Sequence, residues 1–302
     1  MTKEKREKTA KTRPFLAFCL LLAAFPAFGQ AKIGISGTVE WEKLEINAAV
    51  SLNLASAGLK LPSGRTQGET LIASEYLRLI RPAILNLQVD SSSVIAGVID
   101  RGGWSIYEVE DLALQARSVP PALSPDFASL SAFYTLDIAG ISMALIRHET
   151  PAEIPRTLSP VSAPAYTGII IIASDNLPVH GMESSALLKP CLFPKIWDSE
   201  MNLIFERNML NPKKSAMARY FPLQAIFAGG PSGLSRDIAA VVGDRPLRIF
   251  AKGLFGATPT DPVISREDAL LIISTEENRS LLREGRVAII PGEPLLKSPI
   301  GN

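Results

Sequence analysis

Cysteine is almost missing from this chain. Only Cys19 and Cys191 occur among its 302 residues, so no framework of disulfides can staple the fold, and none forms within the chain if Cys19 is removed with a leader. Histidine is just as scarce. His148 and His180 are the only two, which makes most zinc sites and His-based triads hard to build. A basic surplus is absent too, with 31 Lys and Arg against 30 Asp and Glu, and no basic cluster follows the first thirteen residues, so nucleic acid is not an expected partner. No repeat, heptad or low-complexity tail appears. The longest wholly apolar run falls short of the roughly 18 to 20 residues that a membrane-crossing helix needs.

That run is nevertheless the most informative stretch present. Lys3, Lys5, Arg6, Lys8, Lys11 and Arg13 precede Phe15–Ala24, Pro26 breaks the run, and Ala27-Phe28-Gly29 supplies small residues at the positions a signal peptidase reads. Residues 1–29 therefore read as a secretory signal peptide, cleaved before Gln30 or, alternatively, before Lys32. An uncleaved anchor is the competing reading. A lipid anchor is disfavoured because Cys19 lies inside the run behind Phe18. Cleavage removes six basic and two acidic residues, so the remainder carries 25 against 28 and is slightly acidic. About 270 residues remain, enough to bury one large core or two smaller ones without disulfides.

Periodicity supplies the elements. Ile33, Ile35, Val39 and Trp41, then Leu44, Ile46, Ala48, Val50, Leu52 and Leu54, alternate around Glu42-Lys43 as a hairpin with one buried face. Thr66-Gln-Gly-Glu69 has capping-box spacing, and Ile72, Tyr76, Leu79, Ile80, Ala83, Ile84 and Leu87 form a helical stripe that Pro82 should kink or restart. Ser105-Ile-Tyr-Glu108 repeats the capping box before a second helix that ends ahead of Pro120-Pro121, with a loop following to about Asp126. Residues 132–147 change parity at Gly140 and read as a long strand with a bulge there. Four prolines between Thr150 and Pro164 mark a semi-extended linker. Beyond it, Tyr166–Ala173 is a central strand, 193–196 and 203–205 a hairpin, Leu247–Ala251 a strand, Ser265 a helix cap, and 287–290 a strand. The fold class is thus α+β, with two small modules of antiparallel or mixed sheet and packed helices, residues 30–149 and 165–302, joined by the linker 150–164.

The search for chemistry returns structural readings. His148, Glu149 and His180 could form a metal site, but they read rather as exposed strand-end and loop residues, since neighbours on a strand face opposite ways. Gly229-Gly-Pro-Ser-Gly233 lacks the Lys of a phosphate loop and the spacing of a nucleophile elbow, and reads as a turn. Glu108, Glu110 and Asp111, and Glu267, Asp268, Glu276 and Glu277, sit where acidic residues stabilise helix starts. Trp41, Trp104 and Trp197 read as core or edge cover, though they could line a groove, and Cys191 as a buried small hydrophobe.

Two groups of segments carry a resemblance. A hairpin ending at Ala57-Gly58, then Leu61-Pro-Ser-Gly-Arg65, a helix and a long strand are similar to exported bacterial proteins of the lipoprotein-20 and flagellar-assembly T type, found in spirochaetes and related envelope-bearing bacteria. Tyr166-Thr-Gly-Ile-Ile-Ile-Ile-Ala173, Pro190-Cys-Leu-Phe-Pro-Lys-Ile-Trp-Asp198 and Asp261-Pro-Val-Ile-Ser-Arg-Glu-Asp-Ala269 resemble a C-terminal region recurring in such proteins. The resemblance implies an envelope or flagellum-associated structural role and brings no catalytic residues.

The expectation is therefore an exported, periplasmic, non-enzymatic protein that binds an envelope or flagellar protein or a surface, with no catalytic, cofactor or metal residues and no transmembrane span in the mature chain. A periplasmic enzyme with a carboxylate-based site, and a carrier of a small ligand or lipid, are the alternatives. N-terminal sequencing of the exported protein should begin at Gln30 or Lys32; an intact Met1 in the membrane pellet would contradict the leader.

Overall fold

The computed structural model describes residues 33–228 and 233–301. The leader read from residues 1–29 and most of the glycine cluster at 229–233 lie outside them. The chain is built as two α+β domains, the first on an antiparallel sheet and the second on one parallel and one mixed sheet.

Alternation in the first apolar stretch yields the expected hairpin, β1 (Ile33–Glu40) and β2 (Glu45–Asn53), paired from Ile33 with Leu52 to Glu40 with Glu45. Helix α1 (Gly64–Leu85) follows, burying Ile72, Tyr76, Ile80 and Ile84 on one face. A short ribbon of β3 (Gln88–Asp90) and β4 (Ser93–Val94), α2 (Ile95–Asp100) and α3 (Ile106–Leu114) lead to β5 (Arg117–Leu123), β6 (Ser129–Asp137) and α4 (Ile138–Leu145). Ser105 caps α3 with both arms of the capping box made.

Several expectations are corrected. Thr66 caps nothing: α1 begins at Gly64, so Thr66 lies inside the first turn, and Glu69 pairs with Arg65 at 3.0 Å instead of reaching back. Pro82 does not restart α1, which runs unbroken from Gly64 to Leu85. It stands in the last turn, where its missing N–H removes only one bond before Asn86 closes the helix on the carbonyls of Ile84 and Pro82. Pro120-Pro121 lies within β5 rather than in a loop, tolerated because β5 is an edge strand with a register shift between Val119 and Ala122. The long strand over 132–147 is β6 followed by α4. What looked like a bulge at Gly140 is a change of period, since Asp137 accepts the Ala139 N–H at 2.8 Å and Ile138, Ile141 and Leu145 are buried at helical spacing.

Residues 150–164 carry no regular structure and run against the second domain. Ile154 is buried there, the Ala152 N–H bonds Asn208 O at 2.7 Å, and the Asn278 side chain donates to Pro164 O at 3.0 Å. The second domain then comprises β7 (Ile169–Ala173), a ribbon of β8 (Leu177–Pro178) and β9 (Ser185–Ala186), β10 (Ile196–Asp198), β11 (Leu203–Phe205) and β12 (Arg219–Tyr220). After these come α5 (Arg236–Val242), β13 (Leu247–Phe250), β14 (Gly253–Phe255), β15 (Asp261–Ile264), α6 (Arg266–Ile273), α7 (Glu276–Arg283), β16 (Val287–Pro291) and β17 (Lys297–Ile300). The parallel sheet has the order β12-β16-β7-β13, and β7 is buried on both faces as its unbroken isoleucines require. Ile170, Ile172, Ala288 and Ile290 face Ile238 and Val242 of α5, while Ile169, Ile171, Val287 and Ile289 join the main core. The mixed sheet has the order β11-β10-β15-β14.

The C-terminus crosses back. Strand β17 pairs antiparallel with β1, completing the first sheet as β17-β1-β2-β6-β5. In the other direction, Leu192 and Phe193 of the second domain donate to Gln88 and Val89 of β3 at 3.0 and 2.8 Å, and Thr258 donates to Ser91 O at 2.9 Å. One buried apolar cluster accordingly runs through both domains.

Gly37 sits where β1 touches both neighbours. Its φ is +155° and a Cβ there would fall 2.0 Å from Asn47 O. Gly37→Ala should therefore lower stability by about 1–3 kcal/mol, read as a drop in urea midpoint with unchanged slope; an unchanged midpoint would contradict the close approach.

Candidate functional site

A single helix cannot cover the first sheet. Five strands spaced about 4.8 Å apart span roughly 19 Å, whereas a helix with its side chains is about 10 Å wide. Helix α1 sits over β2 and β6, so closely that a Cβ on Gly68 would come 3.1 Å from a Leu130 methyl and 3.4 Å from methyls of Leu52 and Leu54. The inner face of β1 and β17 is left beside it, bearing Ile35, Val39 and Ile300. Lys189 and Pro190 of the second domain close the far side. The result is an interdomain cleft of about 750 Å³, walled by Leu79, Pro82 and Ala83 of α1, with Trp41 also in its lining.

The cleft is mainly apolar, and its charged lining has one sign. Among the described residues, Arg78 and Lys189 are the ionisable side chains in its lining, and none of these lining residues carries a carboxylate. Arg78 is engaged through Nε by Glu75 of the preceding turn. Lys189 is exposed and has no ion-pair partner among the described residues. Asn86 and Ser298 add neutral polar groups.

Behind the cleft lies a buried polar cluster. Trp41 meets Tyr220 edge-on with ring centroids 5.8 Å apart. The Tyr220 hydroxyl donates to Cys191 O at 2.9 Å and accepts the Cys191 N–H at 3.0 Å. Burial pushes both the tyrosine hydroxyl and the Cys191 thiol upward, so Cys191 is a buried, protonated thiol rather than a nucleophile. Next to it, Asp261 accepts the Lys195 N–H at 3.1 Å and the Thr260 hydroxyl at 2.8 Å through Oδ1, while its Oδ2 makes no hydrogen bond. Burial raises the Asp261 carboxyl, against partial relief from Ser91, Thr260, the Lys195 amide and Trp197. Asp198, just as inaccessible, goes the other way. Burial raises it, but bonds from the Asn202 side chain and amide, Arg266 and the Glu200 amide outweigh that and hold it below the ordinary range. The two carboxylates stand at opposite ends of the parallel β10–β15 pair, so they form no acid-base couple.

The other candidates are dispersed. His148 is not at a strand end; it follows α4, with Nε2 2.7 Å from Leu210 O. His180 is exposed on a loop beside Phe255, and no group of three metal-ligating side chains occurs among the described residues. Glu108 closes the α3 capping box and, through the Ser105 amide and hydroxyl and Arg147, is held low. Glu110 pairs with Arg81, and Glu276 with Arg279 and Arg283. Glu267, Asp268 and Glu277 lie in first helical turns. Of the three tryptophans, Trp41 alone reaches the cleft. The second-domain wall has no periodic signal in the sequence: Lys189 immediately precedes, and Pro190 begins, the Pro190–Asp198 segment. That segment and Asp261–Ala269 prove to be neighbours, with Trp197 opposite Val263 and Asp198 opposite Ile264.

Residues 32–144 match the family defined by the N-terminal domain of Treponema pallidum Tp0624, and residues 168–293 match that defined by its second domain. The resemblance to the lipoprotein-20 and flagellar-assembly T type finds no support in these matches. No curated protein matches the chain.

The raised carboxyl gives a signed expectation. A group that titrates above its ordinary 3.8 when folded contributes stability that is fully present below that pH and lost as pH rises through the folded value. Asp261→Asn removes this loss, so the stability of wild type minus that of D261N should fall as pH rises above about 4 and then level off. Urea unfolding across that range checks it, and a difference that grows with pH would contradict the assignment.

Proposed function

The chain belongs to the Tp0624 family, and on that premise we propose that it is an exported, non-enzymatic protein that binds a component of the cell envelope in the cleft between its domains. The observation that carries this is the cleft itself. At about 750 Å³ it lies in the volume range of ligand sites, and it is lined from both domains. Its chemistry suits recognition: among the described residues the lining combines apolar walls, two basic side chains and neutral polar groups, with no carboxylate, histidine or thiol side chain among them.

Export rests on the basic n-region and apolar run before Ala27-Phe28-Gly29. No helix among the described residues is long and apolar enough to cross a membrane. The second reading, a carrier of a small ligand or lipid, is favoured by the apolar character of the walls.

A photoreactive residue tests the site. Placed at Leu79 on the cleft wall, it should crosslink an envelope component that the same group at Ser51, on the opposite face of the sheet, does not reach. Ala83→Trp, which fills the cleft, should abolish the adduct. Equal labelling from both positions, or no reproducible adduct at Leu79, would refute the proposal.

A further inference from the structure

Building on the reading of the cleft as a binding site, we infer that its ligand is a long-chain fatty acid whose acyl chain lies along the inner face of β1 and β17 and whose carboxylate meets Lys189. The floor offers branched aliphatic groups, Ile35, Val39 and Ile300, opposite Leu79 and Ala83 of α1. Such walls recognise a hydrocarbon chain without asking for directed polar groups.

The head group follows from charge. Among the described residues the charged lining is Arg78 and Lys189, both positive, so an anion is favoured over a cation or zwitterion. Arg78 already carries Glu75 as its counter-ion, whereas Lys189 has no ion-pair partner among the described residues. One ammonium on an exposed rim matches a monoanion, and the Asn86 amide, also in the lining, adds a neutral donor. A phosphate dianion would call for a second free cation.

A peptide fits less well. An extended segment entering beside β17 would add to the sheet through that strand's outer edge, where Pro299 supplies no N–H and the strand is only four residues long. The same edge proline is no obstacle to an acyl chain, which needs no backbone donor.

The test uses the delipidated exported protein and the fluorescent fatty acid cis-parinaric acid. Binding should be saturable at one per chain and reversed by palmitate, with hexadecanol, equal in length but uncharged, competing at least about tenfold more weakly. Lys189→Gln should bring palmitate and hexadecanol to equal strength, and Lys189→Arg should restore the difference. Ala83→Trp should abolish binding. Lys189 is exposed, so its variants report whether or not the tryptophan variant folds. Absence of saturable binding, equal competition by the alcohol in wild type, or full affinity in Lys189→Gln would overturn the inference. If wild type ignores fatty acids while Ala83→Trp still removes the adduct at Leu79, the ligand class falls and the binding role stands. If Ala83→Trp changes neither, both fall.

Discussion

Everything in this molecule depends on the way its two domains are tied. The last strand, β17, leaves the second domain and pairs with β1 of the first, while β3 of the first domain docks by backbone hydrogen bonds on Leu192 and Phe193 of the second. Hydrogen bonds alone would make a weak tie, at about 1 kcal/mol net apiece. The seam draws more from burial: Val89, Leu192 and Phe193 are all at most 4% exposed, and each such side chain contributes roughly 1.5–3 kcal/mol when withdrawn from water. Polar contacts thus set the register of the two domains and apolar packing holds it. No disulfide takes part, since Cys191 is a free, buried thiol beside Tyr220.

The cleft is a consequence of that tie and of a mismatch in width. A five-stranded sheet packed under one long helix leaves strands uncovered, and water there is unfavourable for Ile35, Val39 and Ile300. The second domain, brought alongside by the seam, covers part of that face with Lys189 and Pro190 and leaves the rest as a lined recess. Structure and proposed binding are linked at this point, because the same contacts that hold the domains in register shape the cleft wall. The buried Tyr220, Cys191 and Asp261 lie directly behind that wall and fix it from the second-domain side.

Strong periodicity made much of the architecture legible. The alternation in β1 and β2, the stripe on α1, the Ser105 and Ser265 caps and the unbroken isoleucines of β7 each carry one physical signal that tertiary context does not oppose. Errors fell where two signals compete. At Gly140 a parity change mimics a bulge, while Ile138, Ile141 and Leu145 have helical spacing. Thr66 and Glu69 have capping-box spacing, but Gly64 and Arg65 precede them inside the helix, and the pattern says nothing about where a helix begins. Strands of two to four residues, such as β3, β4 and β17, are too short to show a period at all. Since β3 and β17 build the seam, the cleft was invisible for the same reason. Of its lining, Trp41 stands out in the sequence as one of three tryptophans, and Lys189 carries no such signal.

A fixed cleft requires the two domains to behave as one body. Variants that retain only Trp104, in the first domain, or only Trp197, in the second, with phenylalanine at the other tryptophan positions, report each domain separately during urea unfolding. Interlocked domains predict coincident midpoints for the two probes, both falling together when residues 297–302 are removed. Two separated midpoints in the full-length chain would contradict the interlock, and with it the cleft as a fixed site.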